Sequence, residues 1–168
     1  EQFGLAGSLW DQFIAYLRQL FLHRDLGYSF ARSAPVVEVI AGRIPQTLLM
    51  VGTALVIAAV VGTILGAIAG WKTGTKFDSV IVSSSLAMYA VPTFAMGIIL
   101  MLSFAIYLGI LPLSGMVTIE SGLTGWAYVK DVFRHMVLPV TSVVVWYIGG
   151  YVIITRNAMQ EVLDQDYI

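Results

Sequence analysis

One stretch of the chain constrains the fold most, because residues 44–70 are almost entirely apolar and carry no charge. As an α-helix rising about 1.5 Å per residue, this stretch would be about 40 Å long, more than the roughly 30 Å of a bilayer's hydrocarbon core. Small residues recur in it at every fourth position, and we call them the small-residue ladder: Ala54, Ala58, Gly62, Gly66 and Gly70. This spacing places all five on one side of a helix. A row of bare backbone gains nothing from facing lipid, so we expect another helix to pack closely against it.

The composition agrees with a membrane protein. Of 168 residues, 58% are hydrophobic and 11% charged, whereas soluble domains carry about 25% charged residues. The net charge of −1 gives no reason to expect nucleic acid as a partner. The sequence contains no cysteine, which excludes disulfides and thiolate metal sites within it.

Two further uncharged stretches follow, at residues 79–111 and 136–155. Each is long enough to cross a bilayer. The first has Pro92 near its middle, and in the second Pro139 is suited to a first helical turn. We therefore predict an all-α, polytopic membrane protein with three transmembrane helices, over about 44–70, 79–111 and 136–155. Pro92 would kink its helix, either as a fixed bend for packing or as a hinge beside a pathway.

Residues 8–22 show helical periodicity but are too short to cross the membrane. The segment predicts an amphipathic helix, either packed on the protein or lying at the bilayer surface, and both interpretations stay open. Residues 112–131 are typical of a loop at the interface.

Five hydroxyl-bearing residues and one methionine fall near one face of the second predicted span: Ser85, Tyr89, Thr93, Met96, Ser103 and Tyr107. Tyr147 and Tyr151 lie one turn apart in the third. Hydrogen bonding between helices is the simpler role for such residues, and lining a pathway is the functional alternative. The small-residue ladder could likewise form a homodimer face or an internal packing face, and we favour the internal one.

Recognisable chemistry is scarce in this sequence. The three predicted spans contain no ionisable Asp, Glu, Lys, Arg or His, so an ion-coupled mechanism has no support in them. His23 and His135 are far apart, which gives a histidine metal site little support. Residues 66–73 superficially resemble a phosphate-binding loop, but Trp71 stands where that motif needs a glycine. We expect no cofactor, no bound metal and no enzyme activity.

Short motifs are nonetheless spaced along almost the whole chain. They are His23-Arg24-Asp25-Leu26-Gly27-Tyr28-Ser29, Arg43-Ile44-Pro45-Gln46-Thr47-Leu48, Val91-Pro92-Thr93-Phe94, Leu108-Gly109-Ile110-Leu111-Pro112-Leu113-Ser114-Gly115, and His135-Met136-Val137-Leu138-Pro139 with Thr155-Arg156 and residues 161–167. Taken in this order, they resemble the permease subunits of bacterial and archaeal dipeptide, oligopeptide and nickel ABC importers. Arg24 stands where that family usually has glycine.

The resemblance implies a partial type I importer permease fold in the cytoplasmic membrane. Its implied partners are a second homologous permease subunit, two cytoplasmic ATPase subunits, an extracytoplasmic substrate-binding protein and the lipid bilayer. Short peptides are the implied substrate, with nickel or another small solute as the alternative. A non-transport membrane scaffold built on small-residue packing is the alternative from a different class.

The charge distribution and the family resemblance predict opposite orientations of the chain in the membrane. Lysine and arginine number six on the side of the N-terminal segment and three on the other, which would place that segment in the cytoplasm. The resemblance implies the reverse, with residues 1–43 as an extracytoplasmic segment and 44–168 as a partial transmembrane domain. We follow the resemblance.

The resemblance also implies that the chain lacks a first span, an ATPase-docking loop and two last spans. Three carboxylates stand near the end of the chain: Glu161, Asp164 and Asp166. They could form a solvated helix face, but by position they lead towards the docking loop, and we favour that role.

Overall fold

The computed structural model describes residues 8–118 and 122–165. Its helices are α1 (Leu9–Leu22), α2 (Val36–Trp71), α3 (Lys76–Ala90), α4 (Thr93–Leu100), a π-helix (Met101–Tyr107) and α5 (Gly125–Leu163). The described residues also contain one short antiparallel strand pair, β1 (Tyr28–Ser29) with β2 (Ala34–Pro35). The predicted all-α fold is confirmed, with this strand pair as an addition.

The helices differ in how they could cross a membrane. Among the described residues, α2 and α5 are each long and apolar enough to cross alone. The segment from α3 to the π-helix qualifies only as a pair of helices, bent by 93° at a short break. By length and composition the described chain therefore has two spans, or three if the bent pair is one crossing.

The course of the bent pair along α5 decides between these counts. The bent pair and the residues just after it run antiparallel to α5. Their contacts with α5, in chain order, are Asp78 with Arg156, Ser85 with Gly149, Tyr89 with Trp146, Gly97 with Ser142, and Ile110 with Arg134. From Arg134 to Arg156, α5 rises about 33 Å at 1.5 Å per residue. That rise matches the thickness of a hydrocarbon core. The order of these contacts and this rise favour one broken span over a re-entrant loop for the bent pair.

The small-residue ladder lies in the contact between α2 and α5, which we call the α2–α5 seam. All five ladder residues are buried, and Ala54 packs in a cluster with Met136 and Val140. A Cβ atom added at Gly66 would lie 2.6 Å from the carbonyl oxygen of Val152. The two helices run parallel here and meet backbone to backbone, which only small residues permit.

Pro139, which the sequence placed in a first helical turn, lies inside a helix, as does Pro45. α2 begins at Val36, before Pro45, and α5 begins at Gly125, well before Pro139. The placement of Pro139 in a first turn was wrong, and the predicted loop at 112–131 ends before Gly125. A proline removes one backbone hydrogen bond from a helix. At Pro45 the carbonyl left without a donor belongs to Ala41, which is exposed and can bind water.

The N-terminal part forms its own compact unit, with the boundary between Gln46 and Thr47. α1 begins with a capping box, in which the Ser8 backbone N–H donates to Asp11 and the Asp11 N–H donates to the Ser8 hydroxyl. The Ser8 hydroxyl and then its N–H hold the pKa of the Asp11 carboxyl below its usual range. Every residue of α1 is exposed or half-buried. Both interpretations of this helix therefore remain open, and the division at residues 43/44 remains a prediction.

The seam makes a prediction with an internal control. Gly66→Ala should destabilise the full-length chain by about 1–3 kcal/mol, because the added methyl group meets backbone that must shift. Gly52→Ala on the same helix should be neutral or stabilising by up to about 1 kcal/mol, since a Cβ there meets nothing within 4 Å and alanine favours helix. Denaturant unfolding in detergent measures both. Equal stability of the two variants would contradict the seam.

Candidate functional site

The break between α3 and α4 is centred on Val91 and Pro92. Proline has no N–H to donate and forces the residue before it out of helical geometry, and Val91 is accordingly extended (φ −81°, ψ 122°). The Val91 N–H donates to the Met88 carbonyl at 3.3 Å, which closes α3. The Met96 N–H donates to the Pro92 carbonyl at 3.1 Å, which opens α4.

The break lies at the middle of the apolar layer. Tyr89 stacks on Trp146, and Trp146 is about halfway along α5 between Arg134 and Arg156. A helix end leaves carbonyls without intrahelical donors, and a helix start leaves N–H groups without acceptors. No side chain caps the start of α4 at Pro92. Polar backbone groups are thus uncovered at a depth where lipid offers no hydrogen bonds.

Aromatic side chains stand beside this break. The rings of Tyr89 and Trp146 are 5.0 Å apart between centroids and nearly parallel, and Tyr147 meets Trp146 edge to face at 4.8 Å. Tyr89 is 48% exposed and Tyr147 40% exposed in this chain. The break therefore opens onto a surface with two accessible tyrosine side chains.

The remaining residues named from the sequence occupy two different environments. Pro92 is exposed, and Thr93 and Met96 are half-buried on α4, close to the break. Ser85, in contrast, is buried under Gly149, where an added Cβ would lie 2.5 Å from the Ser85 carbonyl oxygen. Tyr151 is half-buried, with its Cβ against Gly62 in the α2–α5 seam.

The single polar face predicted for the second span does not exist. The 93° bend separates Ser85 and Tyr89 from Thr93 and Met96, and the helix changes to π geometry from Met101. A regular 3.6-residue period cannot be carried across either change. The sequence signals Pro92 but not the size of the bend, which depends on packing against α5.

A cluster of polar side chains lies at one end of the seam. Arg156 donates through Nε and Nη2 to the two carboxylate oxygens of Asp78, at 2.5 and 2.7 Å. Its Nη1 donates to Gln160, and Gln160 donates to the Thr73 hydroxyl. In the sequence, Asp78 and Arg156 are simply the charged residues that flank the uncharged stretches 79–111 and 136–155. Their opposite charges at the paired ends of antiparallel spans were a signal that could have found them.

The opposite end of α5 is tied to the loop that precedes it. Asp131 accepts from the Thr118 backbone N–H at 2.6 Å and from its hydroxyl at 2.8 Å. The Arg134 guanidinium donates to the Ile110 carbonyl at 3.0 Å. A pocket of about 270 Å³ lies below this loop, and its lining includes Gly97, Met101, Leu113, His135, Pro139 and Ser142.

The carboxylates near the chain end occupy the last turn of α5 and its cap. Glu161 and Asp164 are exposed. Asp166 lies outside the described residues. Across residues 8–118 and 122–165, no group of three or more His, Asp or Glu side chains could hold a metal ion.

Residues 62–168 match the family described as the binding-protein-dependent transport system inner membrane component. The chain belongs to this family. The match covers most of the chain, including the break at Pro92, the glycines of the α2–α5 seam and the Asp78–Arg156 pair. The protein is therefore an integral membrane protein.

Named relatives agree with this assignment. The chain is 32% identical over its whole length to a probable peptide ABC transporter permease protein of Sinorhizobium fredii. It is 36% identical over 91% of its length to a putative peptide transport system permease protein of Brucella abortus. It is also 30% identical over 99% of its length to the dipeptide transport system permease protein DppB of Escherichia coli. These matches cover 51%, 46% and 54% of the relatives, so the chain spans about half their length.

Proposed function

We propose that this chain forms part of the permease of an ABC importer that carries short peptides across the cytoplasmic membrane of a bacterium or archaeon. A second homologous permease subunit would complete the pathway, and an extracytoplasmic binding protein would deliver the peptide. Two cytoplasmic ATPase subunits would hydrolyse ATP, so the chain itself performs no catalysis. The names of the relatives, which specify peptide or dipeptide transport, support this substrate class.

The observation that carries the proposal is the broken helix at the middle of the apolar layer. Non-helical backbone at membrane depth is tolerated only where it is buried in protein or lines a water-filled cavity. Tyr89, Pro92 and Tyr147 are exposed in this chain, so residues 8–118 and 122–165 leave that surface uncovered. An aqueous pathway shared with a second subunit would hydrate the uncovered carbonyl and N–H groups.

The side chains near the break suit a peptide substrate. Tyrosine hydroxyls can donate to or accept from peptide groups, and aromatic faces attract the ammonium group of a peptide N-terminus. We propose Tyr89, Pro92, Thr93, Met96 and Tyr147 as the pathway surface. Ser85 and Tyr151, which pack between helices, are assigned to packing instead.

We propose the orientation that the resemblance to ABC importer permeases implies. Residues 1–43 and the loop before α5 would be extracytoplasmic, and the turn at residues 72–75 would be cytoplasmic. The last turns of α5, with Glu161 and Asp164, would then approach the ATPase subunits, as the family's docking loop follows this point. The N-terminal segment would lie on the side where the binding protein delivers its peptide.

Reconstitution tests the function directly. The full-length chain and its partner subunits, placed in proteoliposomes with the binding protein, should accumulate labelled di- and tripeptides only when ATP is present. Radioactive nickel supplied to the same vesicles should stay at the background level. ATP-driven uptake of nickel without peptide uptake would replace the peptide proposal, and uptake of neither would contradict transport.

Cysteine labelling tests the pathway surface. The 168-residue sequence has no cysteine, so a single cysteine in this region gives a clean signal. Tyr147→Cys should react rapidly with a water-soluble thiol reagent in the assembled importer, and peptide should slow the reaction. Val60→Cys is the matched control, since Val60 lies at a similar depth on α2 and is 54% exposed in this chain. Equal labelling of both sites would contradict the pathway.

A further inference from the structure

The polar cluster at the end of the α2–α5 seam joins α3, α5 and the turn between α2 and α3, and we call it the polar clamp. Its members are Thr73, Gly74, Asp78, Arg156 and Gln160. The Asp78 side chain accepts from both Nε and Nη2 of Arg156 and from the Gly74 backbone N–H at 3.1 Å. Arg156 also donates to Gln160, and Gln160 donates to the Thr73 hydroxyl, so these hydrogen bonds join α5 to the turn between α2 and α3.

The clamp is buried at its Asp78 carboxylate, half-buried at Arg156 and Gln160, and exposed at the turn residues Thr73 and Gly74. Asp78 is only 4% exposed. The glycines of α2 press against the same turn of α5, because a Cβ at Gly66 would lie 3.2 Å from the Arg156 nitrogen and one at Gly70 would lie 2.9 Å from the Arg156 carbonyl oxygen. The backbone of α5 is thus held at Arg156 from one side by glycines and from the other by the Asp78 carboxylate.

Arginine is needed for this geometry. Its planar guanidinium donates three directed hydrogen bonds here, two to Asp78 and one to Gln160. A lysine ammonium is a point charge on a flexible stem and cannot present the same fork. Lysine at position 156 would keep the charge but lose the fixed orientation.

The clamp lies where α5 leaves the seam. Beyond Arg156 the helix continues to Leu163, and residues 161–165 are all exposed. A force applied to this exposed end reaches α2, α3 and the turn between them through the last contacts of α5, which are those of Arg156, Met159 and Gln160 with Asp78, Gly70 and Thr73. Without the clamp, the end of α5 could move while the turn between α2 and α3 stayed in place.

We propose that Asp78 is a positioning residue for energy coupling: acting through Arg156, it locks the end of α5 to the α2–α3 turn, so that a displacement imposed by a cytoplasmic partner moves all three spans together. This proposal rests on the proposed function, because only an ATPase-driven permease would use such a displacement. Its structural half, the locking of the helix end, can be measured without transport.

The experiment uses the full-length chain in the reconstituted importer and two readouts. Spin labels at Lys72→Cys and Gln165→Cys report the distance between the turn and the end of α5. Peptide imported per ATP hydrolysed reports coupling. Arg156→Lys should broaden the distance distribution and lower the coupling ratio by on the order of fivefold, with assembly and ATP hydrolysis little changed.

Two further variants separate coupling from folding. Lys76→Gln removes a charge from an exposed residue at the start of α3 and should leave both readouts unchanged. If Asp78→Asn prevents assembly, the charge exchange Asp78→Arg with Arg156→Asp should partly restore assembly and the narrow distance.

Any dissociation of the two readouts overturns the proposal. An unchanged coupling ratio with a broadened distance would make the clamp purely structural. A lowered ratio with an unchanged distance would mean that Asp78 does not act through the position of α5. If the unsubstituted importer takes up no peptide, the proposed function fails, and the distance alone then decides whether the clamp locks the helix end.

Discussion

The need to hydrogen-bond every backbone group inside a hydrocarbon layer is the constraint on which the rest of this structure depends. α2 and α5 meet it by continuing for 36 and 39 residues without a break. The span between them does not, since its helix stops at Ala90 and resumes at Thr93. A broken helix at this depth requires water or another polypeptide beside it. The proposal of a shared pathway follows from that requirement and not from any single side chain.

Close backbone packing makes the broken span tolerable. The small-residue ladder allows α2 to pack against α5. Gly149 allows α3 to pack against α5, because the Ser85 carbonyl lies where a Cβ at position 149 would be. Gly150, the next residue, meets nothing within 4 Å. The closeness of the packing therefore differs between neighbouring glycines, since a Cβ at Gly149 would meet backbone and one at Gly150 would not. The α2–α5 seam and the α3–α5 contact at Gly149 hold α5 between α2 and α3. The Asp78–Arg156 pair adds an ion pair at one end of this packing.

The sequence predicted what local chemistry determines. The ladder spacing indicated the buried face of α2, and Pro92 indicated a disruption in the second span. The sequence failed at the third span, since Pro139 suggested a helix start but lies well inside α5. The 93° bend and the π-helix could not be read from periodicity, because each depends on how α4 meets α5. The clamp was missed because Asp78 and Arg156 are 78 residues apart and pair only once the spans are antiparallel.

Amide hydrogen exchange of the assembled importer in lipid nanodiscs tests most directly whether the break faces water. We expect rapid exchange at the N–H groups of residues 93–95, which begin α4 without a side-chain cap. The N–H groups of residues 56–62, at a comparable depth on unbroken α2, should be strongly protected because each donates within the helix. Equal and strong protection of both segments would mean that the broken span is sealed from water, which would contradict a water-facing break.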